Sequence, residues 1–260
     1  MKTLRLLRAY FRFNLAAGMA YRASFFLQVF GMVLNNTAFI VFWRVLYDHA
    51  ADLGGWGFRD VMFLWALVSV VWGLGQIFAG NVPYLSRIIR QGDLDVYLTQ
   101  PAPVVPNVAG SRMDVSGWGD ILYGVVVYGF TQTPAPGPIL LFLVLAVMGA
   151  AAMASVRLVF HSLSFWLGNA EGLAGSLDEM LLSFTLYPPS LFPAPVRLLL
   201  TFGIPSALVA WYPAELFRDF SVVGLVTIAA ADALLVLVAL GVFHLGLRRY
   251  ASGNRMGARL

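Results

Sequence analysis

Between Asp60 and Arg87 the sequence runs for 26 residues without a formal charge. As a helix that run is about 39 Å long, enough to cross the roughly 30 Å hydrocarbon layer of a bilayer. Comparable stretches extend from about Ala23 to Leu46, uncharged as far as Arg44, and from about Phe220 to Leu247, where Asp232 is the only formal charge. The whole chain of 260 residues is 60% hydrophobic and 12% charged, with a mean hydropathy of +0.78. Soluble domains carry about 25% charged residues, so this chain has too few charges to cover its apolar surface in water. Lipid is its expected solvent, and an all-α polytopic fold is expected because helices satisfy their own backbone groups there.

Three further spans can be placed between these runs. One starts near Pro106 and ends at Phe130. Thr131-Gln-Thr-Pro-Ala-Pro-Gly-Pro138 then reads as a tight loop, because proline removes donors and restricts the residue before it. A fourth span runs from Ile139 to about Trp166, and a fifth begins around Leu177 before Pro188, Pro189, Pro193 and Pro195 interrupt it. Six transmembrane helices put both termini on one side. Twelve of the 17 basic residues then share a face: Lys2, Arg5, Arg8, Arg12 and Arg22; Arg87 and Arg90, with Arg112 just inside span three; and Arg248, Arg249, Arg255 and Arg259. Basic flanks stay on the cytoplasmic side, so the termini are expected there. The first apolar stretch is too long for a signal peptide and lacks a small-residue cleavage site. The chain reads as a single membrane domain over residues 1–260.

The net charge of +4 and pI near 9.6 do not indicate nucleic acid, because the basic residues sit at the margins of apolar runs rather than in a polar stripe. Cysteine is absent, which removes thiolate metal sites, iron–sulfur clusters and thiol nucleophiles. Lys2 is the only lysine, so a P-loop GxxxxGK[ST] cannot occur, and nucleotide hydrolysis of that kind would have to come from a partner. No GxSxG is present, and His49, His161 and His244 are too dispersed to suggest a metal site. Neither a catalytic residue nor a bound cofactor is expected in this chain.

Three segments stand out beyond the spans. In residues 2–17, Lys2, Arg5, Arg8 and Arg12 recur at helical spacing beside a stripe of Leu4, Leu7, Phe11 and Leu15. The pattern suits a helix lying in the membrane interface, with a plain cytoplasmic extension of span one as the other reading. Residues 81–101, Asn81-Val-Pro-Tyr-Leu-Ser-Arg-Ile-Ile-Arg-Gln-Gly-Asp-Leu-Asp-Val-Tyr-Leu-Thr-Gln-Pro101, predict a short helix started by Pro83 and ended by Gly92, with Asp93 capping the next turn. Such a helix between two spans could be a lever for a cytosolic motor, or an ordinary loop helix resting on headgroups. In residues 189–217, 17 uncharged residues between Arg197 and Glu215 are broken by Pro205 and Pro213. That suits short helices that dip into the outer leaflet and return; a full span there would put the C-terminal arginines outside.

Asp232 falls near the middle of span six, where a carboxylate must face protein or water. It could line a path, meet a cation, carry a proton, or partner a hydroxyl or Arg of a neighbouring helix. Arg112, Asp114 and Asp120 fall in the cytoplasmic half of span three, where they are expected to pair across helices or face a wet mouth. Arg157 should snorkel from the inner end of span four, and Trp43, Trp56, Trp211 and Tyr212 should lie near the outer surface.

The segments Arg90-Gln-Gly-Asp-Leu-Asp-Val-Tyr-Leu-Thr-Gln-Pro101, Leu200-Thr-Phe-Gly-Ile-Pro-Ser-Ala-Leu-Val-Ala-Trp-Tyr-Pro-Ala214 and Gly246-Leu-Arg-Arg-Tyr-Ala-Ser252 make the chain similar to the permease subunit of an ABC-type exporter of the type-2 class. The resemblance covers nearly the whole chain and is to a bacterial subfamily of about 260 residues, which implies a bacterial inner membrane. It implies a six-helix subunit that pairs with a second permease, identical or paralogous, and is driven by a dimer of cytosolic ATPase that binds ATP and Mg2+. It also implies that residues 2–17 touch the motor, that Tyr84 to Leu98 form the coupling helix, and that residues 189–217 cap the outer side. The coupling interface is then expected on Tyr84, Arg87, Ile88, Arg90, Asp93, Asp95 and Tyr97, the two aspartates fixing the turn. An ion-coupled carrier or a non-transporting structural membrane protein is the alternative. A carrier, however, usually shows more spans and clustered mid-membrane polar residues.

Overall fold

A computed structural model of the chain describes residues 2–49 and 53–251, with only the backbone of Lys2, and every regular element among them is helical. Arg255 and Arg259 of the basic C-terminus lie outside the described residues. Helix α1 (Lys2–Gly18) runs through one 3-10 turn into α2 (Arg22–His49), giving a helical stretch of 47 residues over Thr3–His49. Then follow α3 (Phe58–Phe78), the short α4 (Leu85–Gln91), α5 (Leu94–Leu98) and α6 (Val104–Gly110), α7 (Gly117–Thr131), and α8 (Pro136–Ser162) with its extension α9 (Ser164–Leu167). The chain closes with α10 (Glu171–Thr185), α11 (Ala194–Phe202), α12 (Tyr212–Arg218) and α13 (Val222–Leu247).

Four stretches are long and apolar enough to cross a membrane: Thr3–His49, Phe58–Phe78, Pro136–Leu167 and Val222–Leu247. A fifth candidate is the pair Ala194–Phe202 and Ala207–Arg218, bent by 86°. Helices α7 and α10 have 15 residues each, short of the length a crossing takes by itself. The expected third span is therefore not one helix from Pro106. It breaks over residues 111–116, where the Ser116 amide donates to Asp114 Oδ1 (3.0 Å) and the Asp114 amide to the Gln76 carbonyl (3.1 Å). Such side-chain turns compete with the helix for the same backbone groups. The fifth helix starts at Glu171, six residues before the sequence suggests.

Small residues set the packing. Helices α3 and α7 run antiparallel with Gly73 against Gly117 and Ala66 against Gly124, and Arg59 Nη2 reaches the Thr131 carbonyl (2.9 Å) at the far end. A β-carbon on Gly124 would lie 2.6 Å from the Ala66 oxygen, so the backbones touch as closely as helices can. Helix α2 crosses Gly119 of α7 at Val29 and Met32, and α8 packs on α3 where Gly75 meets Met153. Helix α13 leans mainly on α8 and leaves its other side exposed. The main apolar core fills the bundle from Trp56 to Ile228; a smaller one, with Leu85, Ile88, Leu158 and Phe243, lies at the end that carries the termini.

The segment from Pro188 to Arg218 enters and leaves at the opposite end. Ser190 Oγ donates to the Leu53 carbonyl, and on the way back Arg218 sits 3.3 Å from Asp60, donates to the Gly55 carbonyl (2.8 Å) and lies over the Trp56 ring (4.7 Å). Between these staples a π-helical turn, Ala207–Trp211, reaches the middle of α8, with the Val209 carbonyl against Gly149. Trp43, Trp56 and Trp211 gather at this end and are buried rather than displayed as an interfacial belt, because the segment from Pro188 to Arg218 packs here.

Candidate functional site

The segment linking α3 to α7 forms a compact shelf at the terminal end. Pro83 lies in a 3-10 turn that opens α4, and Gly92 ends it with φ 76°, where its amide reaches the Ile88 and Ile89 carbonyls and that of Asp93 returns to Ile88 (3.0 Å). That left-handed cap suits glycine, since a side chain there costs about 1–2 kcal/mol. Gly92→Ala is therefore expected to lower stability by about that amount, read as a lower melting temperature in detergent. Asp93 takes the N-cap position of α5, and its side chain makes no capping bond there.

Alternation of apolar and basic residues decides what α4 shows. Leu85, Ser86, Ile88 and Ile89 are buried, while Arg87 and Arg90 are exposed. Ile88 thus holds the helix to the bundle instead of presenting an outward surface. Ser86 Oγ lies 3.0 Å from His161 Nδ1 and 3.2 Å from the His161 carbonyl, and His161 Nε2 lies 3.4 Å from Asp178 Oδ2. The same carboxylate oxygen is 3.3 Å from Arg157 Nε, whose guanidinium lies over Trp72 at 4.2 Å. Ser86 Oγ donates to the His161 carbonyl and also lies against the ring, which bridges Ser86 and Asp178 through its two nitrogens. A Ser, a His and an Asp in a row resemble a nucleophile with its base, but Ser86 is 1% and His161 2% exposed, which closes them to any substrate. The row is a strut. It ties α4 to the end of α8 and the flank of α10.

A second tie is weaker. Arg90 Nη2 donates to Glu171 Oε2 (3.2 Å) on the first residue of α10, half-exposed on both sides, and pairs of that kind contribute about 0–1 kcal/mol. Around the shelf, Arg112 lies over the Tyr84 ring (4.0 Å), in the turn after α6 and not inside a span. The Tyr97 hydroxyl meets Asn81 Nδ2 and Ser111 Oγ, each at 3.2 Å. Burial, and next the Asp95 carboxylate, push the Tyr250 phenol up to about 12, so the neutral form that favours this fit persists below pH 10 and is lost only as pH climbs through 12. Tyr10 donates to Asn107 Oδ1 and Asn14 to the Gly110 carbonyl (3.1 Å), which seats α1 on α6. Arg5, Arg8 and Arg12 point away from that contact and are exposed.

The shelf is thus a short helix with a basic outer face, bolted at its inner face to the long apolar α8 and to the flank of α10. A family model described as ABC-2 family transporter protein matches residues 33–253. The chain belongs to this ABC-2 family. The match leaves out α1 and the start of α2 and takes in every other described helix. No curated protein and no solved structure matches the chain significantly. The chain is thus a multi-pass membrane protein of the ABC-2 permease kind, about 260 residues long.

Within the permease bundle the ionisable residues are few and mostly engaged. Arg157, expected to snorkel, is instead buried, because α10 supplies Asp178 as a counter-ion at the same depth. Asp114 caps the turn before α7. Asp120, one turn into α7, is buried and accepts from Asn36 Nδ2 (2.7 Å) on α2 and Gln76 Nε2 (3.1 Å) on α3. Asp232 is buried on α13, which packs mainly on α8, and neither of its oxygens has a hydrogen-bond partner among the described residues, so no hydroxyl or arginine of theirs meets it. The strut escapes sequence reading because Ser86 and His161 are 75 positions apart. The legible hint is Arg157 and His161, four residues apart and so on one helical face.

Proposed function

We propose that this chain is the membrane-spanning permease subunit of an ATP-binding cassette exporter. It forms the translocation path with a second permease, identical or paralogous, and is driven by a separate cytosolic ATPase that holds ATP and Mg2+. The observation that carries this reading is the strut: α4 offers Arg87 to the outside and is joined through Ser86, His161 and Asp178 to α8 and α10. Force on such a helix moves two spans rather than bending a loop. Helices α2, α3, α7, α8, α10 and α13 alternate in direction and make six crossings, with α7 and α10 completed by their flanks. The termini and the shelf then lie in the cytoplasm of a bacterial cell, in keeping with the bias of basic residues.

In this reading Tyr84, Arg87, Arg90 and Tyr97 shape the surface that meets the motor, and Ile88, Asp93 and Asp95 hold its geometry. Helix α1 lies at the interface with Arg5, Arg8 and Arg12 among lipid phosphates or against the ATPase. The bent pair α11 and α12 is a re-entrant cap on the outer side. ATP binding has to favour one arrangement of the spans over another, since a ligand that binds both equally shifts nothing.

The test is reconstitution with a cytosolic ABC ATPase that co-purifies with the chain. Arg87→Glu, a change on an exposed residue, is expected to leave the melting temperature within a few degrees and to reduce permease-stimulated ATP hydrolysis by about tenfold, the size of one lost charge pair at a partly buried interface. Transport by the purified chain alone, powered by a proton or sodium gradient, would overturn the proposal.

A further inference from the structure

A cavity of about 260 Å³ opens between α2, α3 and α10, and its wall combines Asp120, Asn36 and Gln76 with the aromatic rings of Phe39, Trp65 and Trp72. The carboxylate is 4% exposed, yet both its protein partners are neutral amides, and no basic side chain pairs with it among the described residues. Gln76 is held in turn: its Oε1 is 2.6 Å from Ser116 Oγ, which fixes which end of the amide faces Asp120. Two amide donors use about half of the roughly four acceptor sites of a carboxylate. They supply no countercharge, which a buried carboxylate needs.

The volume and the walls narrow what can supply it. A water occupies about 30 Å³ of liquid, so the space is far larger than a single water or bare ion requires. Phe39 and Trp65 stand with ring centroids 4.5 Å apart along one side, and aromatic faces attract cations whose charge is spread over alkyl groups. We infer that this cavity is a subsite for a substituted ammonium group, with Asp120 as its countercharge. The inference rests on the transport reading and names the cargo it implies: a molecule with an alkylated amine that enters between α2 and α10.

Binding can be measured without ATP or a motor, so its failure and the failure of the coupling reading are separable. The chain in lipid nanodiscs is titrated with choline, following the fluorescence of the tryptophans, two of which line the cavity. Saturable binding is expected, and neohexyl alcohol, the uncharged carbon isostere of choline, should bind at least about tenfold more weakly. Asp120→Asn is expected to weaken choline by at least about tenfold while Asp120→Glu retains it. The comparison of choline with its isostere on the unaltered protein keeps the test decisive if Asp120→Asn does not fold. No saturable choline binding, equal binding of the uncharged isostere, unchanged affinity in Asp120→Asn, or Asp120-dependent binding of sodium with none of choline would each overturn the assignment.

Discussion

Asp178→Ala is expected to be among the most damaging single changes in the bundle. Arg157 and Asp178 side chains are 9% and 12% exposed, and deleting one partner of a buried pair costs about 3–5 kcal/mol because the other charge stays behind. The variant should melt well below the parent in detergent or fail to accumulate. Replacing both partners by apolar residues of similar volume, Arg157→Met with Asp178→Leu, should restore most of that loss, since such exchanges are often neutral or stabilising. It does not restore the acceptor for His161. ATP-driven transport is therefore expected to stay low in the double variant although its fold is sound. Normal transport in a stable double variant would reduce the strut to packing.

Gly124→Leu should prevent α3 and α7 from docking. Even Gly124→Ala places a β-carbon 2.6 Å from the Ala66 carbonyl and 2.6 Å from Val70 Cγ2, and overpacking of that kind costs about 1–3 kcal/mol. The control lies on the same helix. Nothing stands within 4 Å of a β-carbon on Gly129, so Gly129→Ala should be neutral or slightly stabilising through its helix preference. Thermal melts of the variants side by side would check the contrast; equal melting of Gly124→Ala and Gly129→Ala would refute the seam.

Long runs with at most one formal charge located α2, α8 and α13 and the start of α3 to within a few residues, because lipid leaves a chain few choices over that length. Proline and glycine marked the ends of α4 and the broken segment after Pro188 for the same local reason. What stayed hidden was set by contacts between distant positions. Asp114 breaks the third helix by gathering Ser116 and the Gln76 carbonyl, a turn that no periodicity announces. Arg157 looked like a residue that reaches for water, since nothing in its neighbourhood of the sequence reveals Asp178 across the gap. The aromatic residues looked interfacial because their position along the chain was readable, and the fold of Pro188 to Arg218 over them was not. Asp120 was singled out as polar, but its amide partners come from two other helices.

Helix α3 is fastened at both ends. Its 21 residues make a rod about 31 Å long. At its first turn, Asp60 holds Arg218 of the bent pair; a few residues past its last turn the chain becomes α4. In the proposed exporter a push on the shelf would be delivered, along a shaft that is helical from end to end, to the bent pair at the far end. Opening one side and sealing the other would then be two ends of a single stroke, and Asp60→Asn should loosen one of the ties between shaft and bent pair, read as less transport per ATP hydrolysed.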